Sequence, residues 1–307
     1  MNTASITPAM IASSPWAVPP MARREDFSLS LEDNQKIIKH IESGGIKTLL
    51  YGGNAIFYHL TLKQYEEALQ LISTSASKST WVIPATGPAY GSMLDQLPIL
   101  QQFDFPSVMV LPQSDISTSL GLTRGIKAFA EKFGKPVVVY LKYDRKVKAE
   151  HVKSLVDDGL VAAIKYAVVR KDYTDDTYLK ELCSLVDPAL ILSGLGDQPA
   201  IVHMRDFHLG GFTTGCGCIA PKISMALLKA IQSQDYARAD ELRRMFLPLE
   251  DLRDNNGPII VLHEATLAAG VAQTGPILPH LSEPDSSLSF RIQQAAQDLM
   301  KQNDSVS

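Results

Sequence analysis

The sequence predicts a parallel (β/α)8 TIM barrel with a C-terminal helical extension, and three observations lead to this α/β fold class. Short apolar runs alternate with longer amphipathic segments, which is the rhythm of strands and helices in a parallel barrel. Eight such runs precede Pro221, and only helical patterns follow it. The chain has 307 residues, more than the roughly 250 that such a barrel needs. We therefore expect a barrel over residues 1–232 and a C-terminal helical region over 233–307.

The strands are predicted from β-branched and other apolar residues bounded by turn residues. In chain order they are Trp16–Val18, Ile46–Tyr51, Trp81–Ala85, Ser107–Leu111, Val137–Leu141, Leu160–Lys165, Ala189–Leu192 and Phe212–Cys218. Helices between them are predicted at Leu31–Ser43, after a Thr61 cap, at Leu120–Phe133 and at Ala149–Asp157.

The pattern beyond Pro221 predicts helices only. They are expected at Ile223–Gln232, Tyr236–Arg253, Ile259–Ala269 and Ser287–Lys301, joined by loops rich in glycine, proline and asparagine. The first of them is expected to close the barrel. The polar tail Gln302–Ser307 is expected to fray.

Composition and charge favour a small-molecule site. The net charge is −4, and lysines and arginines are scattered rather than clustered, so neither nucleic acid nor an anionic membrane is an expected partner. Three cysteines, Cys183, Cys216 and Cys218, form no CxxC pair and suit a reducing compartment. The sequence shows neither a basic start followed by an apolar run nor an apolar stretch of membrane-spanning length. We expect a cytoplasmic protein.

The segment 159–167 is the most informative, because it is a predicted buried strand that ends in an amine. A buried lysine loses hydration of its charged form, so its pKa falls and it becomes a candidate nucleophile. Tyr140 ends the preceding predicted strand, and in a parallel barrel both side chains are expected at the same cavity. An amine and a phenol in this arrangement indicate Schiff-base chemistry, with Lys165 and Tyr140 as catalytic residues. The alternative is that Lys165 extends along apolar neighbours to reach water.

Other strand ends offer candidate substrate-binding residues. Gly53 and Asn54 follow the second strand and provide backbone N–H groups and an amide for an anion, although a plain turn explains them as well. Arg145 follows the fifth strand and suits a carboxylate, although loop arginines are usually solvated. Ser193 and Gly194 end the seventh strand. Gly215 lies in the eighth, where glycine lets a ligand approach the backbone.

Taken together, the glycine-rich turn before Thr61, Tyr140, Lys165, the segment 192–194 and the glycine-rich eighth strand resemble the dihydrodipicolinate synthase and N-acetylneuraminate lyase family of class I aldolases. The resemblance spans nearly the whole chain. It implies a Schiff base between Lys165 and pyruvate or another 2-oxo acid, with Tyr140 moving protons. It also implies that the turn at Gly53 holds the carboxylate and that Arg145 receives a second substrate. A homo-oligomer, dimer or tetramer, is expected, with no metal or organic cofactor.

Two departures from the family pattern affect the expected reaction. The family turn reads Gly-Thr-Thr-Gly-Glu or Gly-Thr-Gly-Glu, whereas residues 52–56 read Gly-Gly-Asn-Ala-Ile and carry no hydroxyl. Residues 111–114 also lack the tyrosine that synthases lend to a neighbouring subunit. The resemblance therefore favours a lyase, aldolase or dehydratase acting on a 2-oxo acid, including sugar acids, over 4-hydroxy-tetrahydrodipicolinate synthase itself.

Two functions of other classes stay open from the sequence. The missing hydroxyls also suit a catalytically silent barrel that binds a sugar acid or amino acid. A metal-dependent aldolase would need histidines or carboxylates clustered at strand ends. His59 is expected in a loop, and His203 and His208 are expected to flank a helix, so a metal site is not expected.

Overall fold

The computed structural model describes residues 1–306, in which eight parallel strands close into a barrel. Strands that are neighbours in the chain are neighbours in the barrel, and pairing of the eighth with the first closes it. The strands are β1 (Trp16–Ala17), β2 (Thr48–Tyr51), β3 (Trp81–Thr86), β4 (Met109–Val110), β5 (Val137–Leu141), β6 (Val161–Tyr166), β7 (Ile191–Ser193) and β8 (Gly211–Thr214). The predicted fold class is confirmed.

Helices precede, separate and follow the strands. Those up to the end of the barrel are α1 (Pro8–Ile11), α2 (Leu31–Ser43), α3 (Leu62–Ser75), α4 (Tyr90–Leu100), α5 (Ser119–Phe133), α6 (Ala149–Asp157), α7 (Thr177–Leu185) and α8 (Ala200–Asp206). The C-terminal ones are α9 (Pro221–Gln232), α10 (Tyr236–Asn256), α11 (Pro258–Ala268) and α12 (Ser286–Ser305). The predicted cap of α3 is present, because the Thr61 hydroxyl accepts from the backbone N–H of Gln64.

Several predicted element boundaries differ from the structure. The eighth strand ends at Thr214, and Cys216–Cys218 form a 3₁₀ turn, because the Thr214 hydroxyl accepts from the N–H of Gly217. The seventh strand begins at Ile191, after a 3₁₀ turn at Pro188–Leu190.

The C-terminal tail is helical to Ser305 rather than frayed from residue 302. Asn303 explains this, since it is buried and its side-chain oxygen accepts from the N–H of Lys222 on α9. The last residue of the predicted tail, 307, lies outside the described residues. The predicted boundary at residue 232 coincides with the end of α9 but remains a prediction.

The core lies inside the barrel and between the barrel and its helices. The strands β2, β5 and β8 are buried on almost every residue, as expected of strands covered on both faces. The C-terminal helices α9, α10, α11 and α12 pack on one another, and α10 also contacts the turn after β8. No helix within residues 1–306 is both long and apolar enough to cross a membrane.

Candidate active site

Lys165 and Tyr140 lie side by side at the carboxyl ends of β6 and β5. The register pairs Tyr140 with Lys165 directly, so both side chains lie on the same face of the sheet. A β-bulge produces this register, because Val137 pairs with Val161 whereas the next residue, Val138, pairs with Ala163. Without the extra residue in β6, Tyr140 would face Ile164, and the amine would turn to the other face of the sheet.

The amine of Lys165 is buried and lies against the phenol ring. Lys165 is 7% exposed, and its Nζ lies 4.4 Å from the centre of the Tyr140 ring. Burial, followed by the positive charges of Lys142 and Arg253, lowers the pKa of Lys165 to about 7. A large fraction of the amine is therefore neutral near pH 7, which is the form that attacks a carbonyl carbon.

Gly194 makes room for the lysine side chain. It follows β7, and its N–H donates to the carbonyl of Tyr166 at 2.6 Å. A Cβ at this position would lie 2.8 Å from Cγ of Lys165 and 2.8 Å from the Tyr166 carbonyl oxygen. Gly194 therefore supports the lysine stem and has no side chain with which to bind a substrate.

Tyr140 lies on the wall of a large, mostly apolar cavity. The cavity has a volume of about 970 Å³ and is lined by parts of segments 88–93, 110–128 and 139–147. Burial, and secondarily the neighbouring Tyr143, raises the pKa of the Tyr140 phenol, so it carries its proton at neutral pH. Lys165 is not among the residues that line this cavity. A protonated phenol beside an amine can donate its proton to a reacting oxygen.

Tyr58 is a third polar group near Tyr140, and no sequence pattern predicts it there. It lies in a 3₁₀ turn, Phe57–His59, which follows Ile56 in a left-handed backbone conformation. The Tyr58 ring lies 3.8 Å from the position of a Cβ on Gly53. Its phenol pKa is raised by burial and then by the nearby Tyr140 and Tyr143. Tyr58 thus lies near both the turn after β2 and the Tyr140 phenol.

The turn after β2 offers backbone donors, but its amide side chain is already bonded. Within residues 1–306 no acceptor receives the N–H of Gly53 or Asn54. The side-chain amide of Asn54 donates to the Val18 carbonyl at 2.8 Å, and the Val18 N–H donates to Thr214 of β8 at 3.0 Å. Asn54 therefore fastens the turn to the segment after β1, and the N–H groups are the donors that face no protein acceptor.

Ser193 faces away from Lys165, contrary to the expectation that it binds substrate. It pairs with Tyr166, one residue beyond Lys165, so its side chain takes the opposite face of the sheet. Its hydroxyl lies 2.8 Å from Nδ1 of His203, and both residues are buried. His203 lies inside α8 rather than flanking a helix, and burial lowers its pKa to about 4. The pair joins β7 to its helix.

Arg145 also lies away from Lys165, against helix α7. Its guanidinium forms an ion pair with Glu181 and lies 5.4 Å from the centre of the Tyr178 ring, and both of these residues belong to α7. The side chain is 46% exposed. This placement does not support the expectation that Arg145 binds a substrate, because the side chain is held against the outer layer of helices.

Gly215 lies directly under a guanidinium from the C-terminal helices. A Cβ at Gly215 would lie 2.4–2.6 Å from three guanidinium atoms of Arg253. Arg253 is 6% exposed, and its Nη1 donates to Glu250 at 2.6 Å. Arg253 is not predictable from the strand ends and the loops after them, because this residue lies near the end of α10.

Comparison with known proteins defines the fold. No protein-family model and no curated protein sequence matches the chain. Solved structures do match it. Dihydrodipicolinate synthase from Bacillus clausii has 19% sequence identity and a TM-score of 0.83, and the match covers 96% of this chain and 98% of that one. The synthase from Oceanobacillus iheyensis has 17% identity and a TM-score of 0.83, with 95% and 98% covered.

A third structure is a prophage protein of the dihydrodipicolinic acid synthase family from E. coli K12, which was solved in complex with pyruvate. It has 20% identity and a TM-score of 0.79, and the match covers 93% of this chain and 98% of that one. At these identities the likeness establishes the fold. The chain therefore has the barrel and C-terminal helices of the dihydrodipicolinate synthases, and the resemblance inferred from its residues is confirmed at the level of the fold.

Proposed function

We propose that the chain is a class I lyase that forms an imine between Lys165 and the keto carbon of pyruvate or another 2-oxo acid. The observation that carries the proposal is the buried Lys165 amine, whose pKa is lowered to about 7 and which lies 4.4 Å from the Tyr140 ring centre. The fold agrees with it, because a structural neighbour of the synthase family was solved with pyruvate.

The chemistry assigns one role to each group. The neutral amine attacks the keto carbon, and the carbinolamine that results loses water to give the imine. Tyr140 donates the proton that the departing hydroxyl needs and can take a proton back in a later step. The protonated imine withdraws electrons from the adjacent carbon, which permits cleavage of a carbon–carbon or carbon–oxygen bond. Hydrolysis of the imine then restores the amine and releases the product.

The turn after β2 is the proposed site for the substrate carboxylate. The unpaired N–H groups of Gly53 and Asn54 can both donate to carboxylate oxygens without the hydroxyls that the family turn provides. β2 and β6 lie on opposite sides of the eight-stranded barrel. A 2-oxo acid bound between them would present its keto carbon to Lys165 and its carboxylate to the turn.

Reduction of the imine tests the proposal. We expect sodium borohydride with pyruvate to add one reduced pyruvate to the protein, and peptide mass spectrometry to place it on Lys165. Lys165→Ala removes the nucleophile and should not be labelled, whereas Lys142→Ala, the neighbouring cation, should retain the label. Labelling of another lysine, or no labelling by a panel of 2-oxo acids, would refute the assignment.

A catalytically silent binding protein is the second candidate, and the Asn54 geometry favours it. Since the Asn54 amide is bonded to Val18, the turn offers fewer side-chain donors than a threonine pair would. This alternative predicts that 2-oxo acids bind reversibly to the parent protein and that borohydride leaves Lys165 unmodified.

We also propose that the protein is a cytoplasmic homo-oligomer. The free thiols of Cys183, Cys216 and Cys218 suit a reducing compartment. Exposed apolar side chains surround the mouth of the large cavity, and Ile116 among them is fully exposed. A second copy of the chain would remove this apolar surface from water.

A further inference from the structure

Two carboxyl groups and one guanidinium are buried together beside the candidate active site. Arg253 donates from Nη1 to Glu250 at 2.6 Å. Asp197, which follows β7, accepts from the hydroxyls of Thr214 at 2.7 Å and Ser224 at 3.2 Å. Asp197 and Glu250 are fully buried, and burial together with the charge of Glu250 raises the pKa of Asp197. We call Asp197, Glu250 and Arg253 the acid–guanidinium cluster.

The cluster lies at the end of the barrel that carries Lys165. Gly215 follows β8 at its carboxyl end, as Lys165 lies near the carboxyl end of β6, and the guanidinium covers Gly215 at contact distance. The positive charge of Arg253 is also one of the causes that lower the pKa of Lys165. The Arg253 guanidinium and the Lys165 amine therefore lie at the same end of the barrel.

Arg253 retains donors that the protein does not use. Its Nη1 is paired with Glu250, and its Nε lies 3.5 Å from the Pro258 carbonyl. Nη2 has no acceptor within residues 1–306, and it is not among the atoms that are sealed from solvent. Because a guanidinium is planar and the Glu250 pair fixes its orientation, the free Nη2 has a fixed position over Gly215, after β8.

The charge of the cluster indicates which kind of hydrogen-bond acceptor suits Nη2. Two carboxyl groups face one guanidinium, so the cluster has no surplus positive charge with which to compensate a further buried carboxylate. A neutral hydroxyl needs no such compensation and can accept from Nη2. The free donor is therefore better suited to a hydroxyl than to a second acid group.

The barrel order places this donor to one side of the line from the proposed carboxylate site to the reacting carbon. With the keto carbon at β6 and the carboxylate at β2, strand β8 lies two strands from each. The part of a substrate that extends past the keto carbon can reach β8 without displacing the carboxylate.

We propose that Arg253 is a specificity-determining residue, which donates from Nη2 to a hydroxyl on the distal carbons of a hydroxylated 2-oxo acid. The inference rests on the proposed function for the position of the keto group, and it adds a residue from the C-terminal helices. Glu250 acts as a positioning residue, because it holds the guanidinium through Nη1.

The test measures binding without imine formation. Isothermal titration calorimetry would compare three six-carbon acids that lack a keto group: gluconate with hydroxyls, hexanoate without them and adipate with a second carboxylate. We expect Arg253→Gln to weaken gluconate binding about 10- to 100-fold, the usual effect of losing a hydrogen bond to a charged donor. Hexanoate binding should change far less. Arg243→Gln, on the same helix but paired with Asp240 near the surface, is the matched control.

A second variant keeps the test decisive if Arg253→Gln fails to fold, since that change leaves Glu250 buried and unpaired. Gly215→Ala retains every charge, but its methyl group displaces the guanidinium, and it should weaken gluconate binding selectively as well. The double variant Arg253→Gln/Glu250→Gln removes both charges and should show the same selective loss.

Three results would overturn the inference: gluconate affinity that is unchanged in these variants, an equal loss for hexanoate, or parent protein that binds adipate more tightly than gluconate. Borohydride trapping with pyruvate reports separately on Lys165. Arg253-dependent gluconate binding in a protein that never forms an imine would retain the subsite and refute the lyase.

Discussion

At the scale of single residues, the properties of Lys165 follow from where its amine is placed. A solvated lysine has a pKa near 10.4, and only burial among apolar groups brings it towards neutrality. The Tyr140 ring beside the amine attracts a cation, which opposes that shift. Burial is the largest cause that lowers the pKa of Lys165, and the positive charges of Lys142 and Arg253 lower it further.

The first prediction concerns the pH dependence of imine formation. Because the neutral amine reacts, the single-turnover rate with pyruvate should rise with pH and level off above about 7, the pKa of Lys165. At two pH units below that value it should be roughly 100-fold slower. Lys142→Gln removes a like charge and should move the midpoint upward, whereas Lys146→Gln should not. A midpoint near 10 in the parent protein would contradict the assignment.

The same pKa shift makes the free energy of unfolding depend on pH. The pKa of Lys165 is lower in the folded protein than in the unfolded chain, so between pH 7 and pH 10.5 the unfolded chain binds more protons. The contribution of Lys165 to stability therefore falls as pH decreases across this window and is constant below it. Lys165→Met should gain stability relative to the parent over the same window, by an amount on the order of a few kcal/mol, in denaturant titrations at several pH values.

The second prediction concerns Tyr140. Tyr140→Phe should lower turnover by about two to four orders of magnitude with a much smaller change in substrate affinity, since it removes a proton donor and keeps the ring. The matched variant is Tyr58→Phe, because the Tyr58 ring lies near Gly53 of the turn, whereas the Lys165 amine lies over the Tyr140 ring. Steady-state kinetics should show the smaller loss for Tyr58→Phe. The reverse order would make Tyr58 the principal proton donor.

At the level of helices and strands, the sequence predicts where the strands lie but not which way individual side chains point. Lys165 and Tyr140 could be predicted because each ends a strongly apolar strand, and adjacent strands of a parallel barrel share an end. The placement of Ser193 could not be predicted. It lies one residue beyond the inward-facing layer, and the sequence pattern does not decide which residues of the strand face inward. The positions of Arg145 and Arg253 could not be predicted either, because partners on α7 and α10 decide where these long side chains lie.

The third prediction concerns the turn after β2. Asn54→Ala removes the hydrogen bond to Val18 and should destabilise the protein by about 0.5–1.5 kcal/mol in denaturant unfolding. It should also weaken binding of 2-oxo acids, because the turn then holds its N–H groups less firmly. Asn54→Asp, which keeps the shape but not the donor, should behave similarly. Unchanged stability with a large loss of carboxylate binding would show that the amide contacts the ligand directly.

At the scale of the whole molecule, the exposed apolar surface near the large cavity predicts self-association. Ile116 is fully exposed. Its φ of 46° is an unfavourable backbone conformation for a β-branched residue. Ile116→Asp should shift the protein toward monomer in sedimentation velocity, because a charge in an apolar interface is costly. Val169→Asp, at a residue that is 73% exposed, is the control. A parent protein that is monomeric at high concentration would remove the basis for this interface.

The position of Arg253 has a consequence for the order in which the chain is synthesised. All eight strands leave the ribosome before α10, so a nascent chain contains the reactive amine before it contains the guanidinium. A product truncated after the barrel would lack Arg253, and with it both the proposed preference for hydroxylated acids and one of the charges that lower the pKa of Lys165. The proposed substrate preference and the full reactivity of the amine are therefore acquired only when α10 has been synthesised and has packed on the barrel.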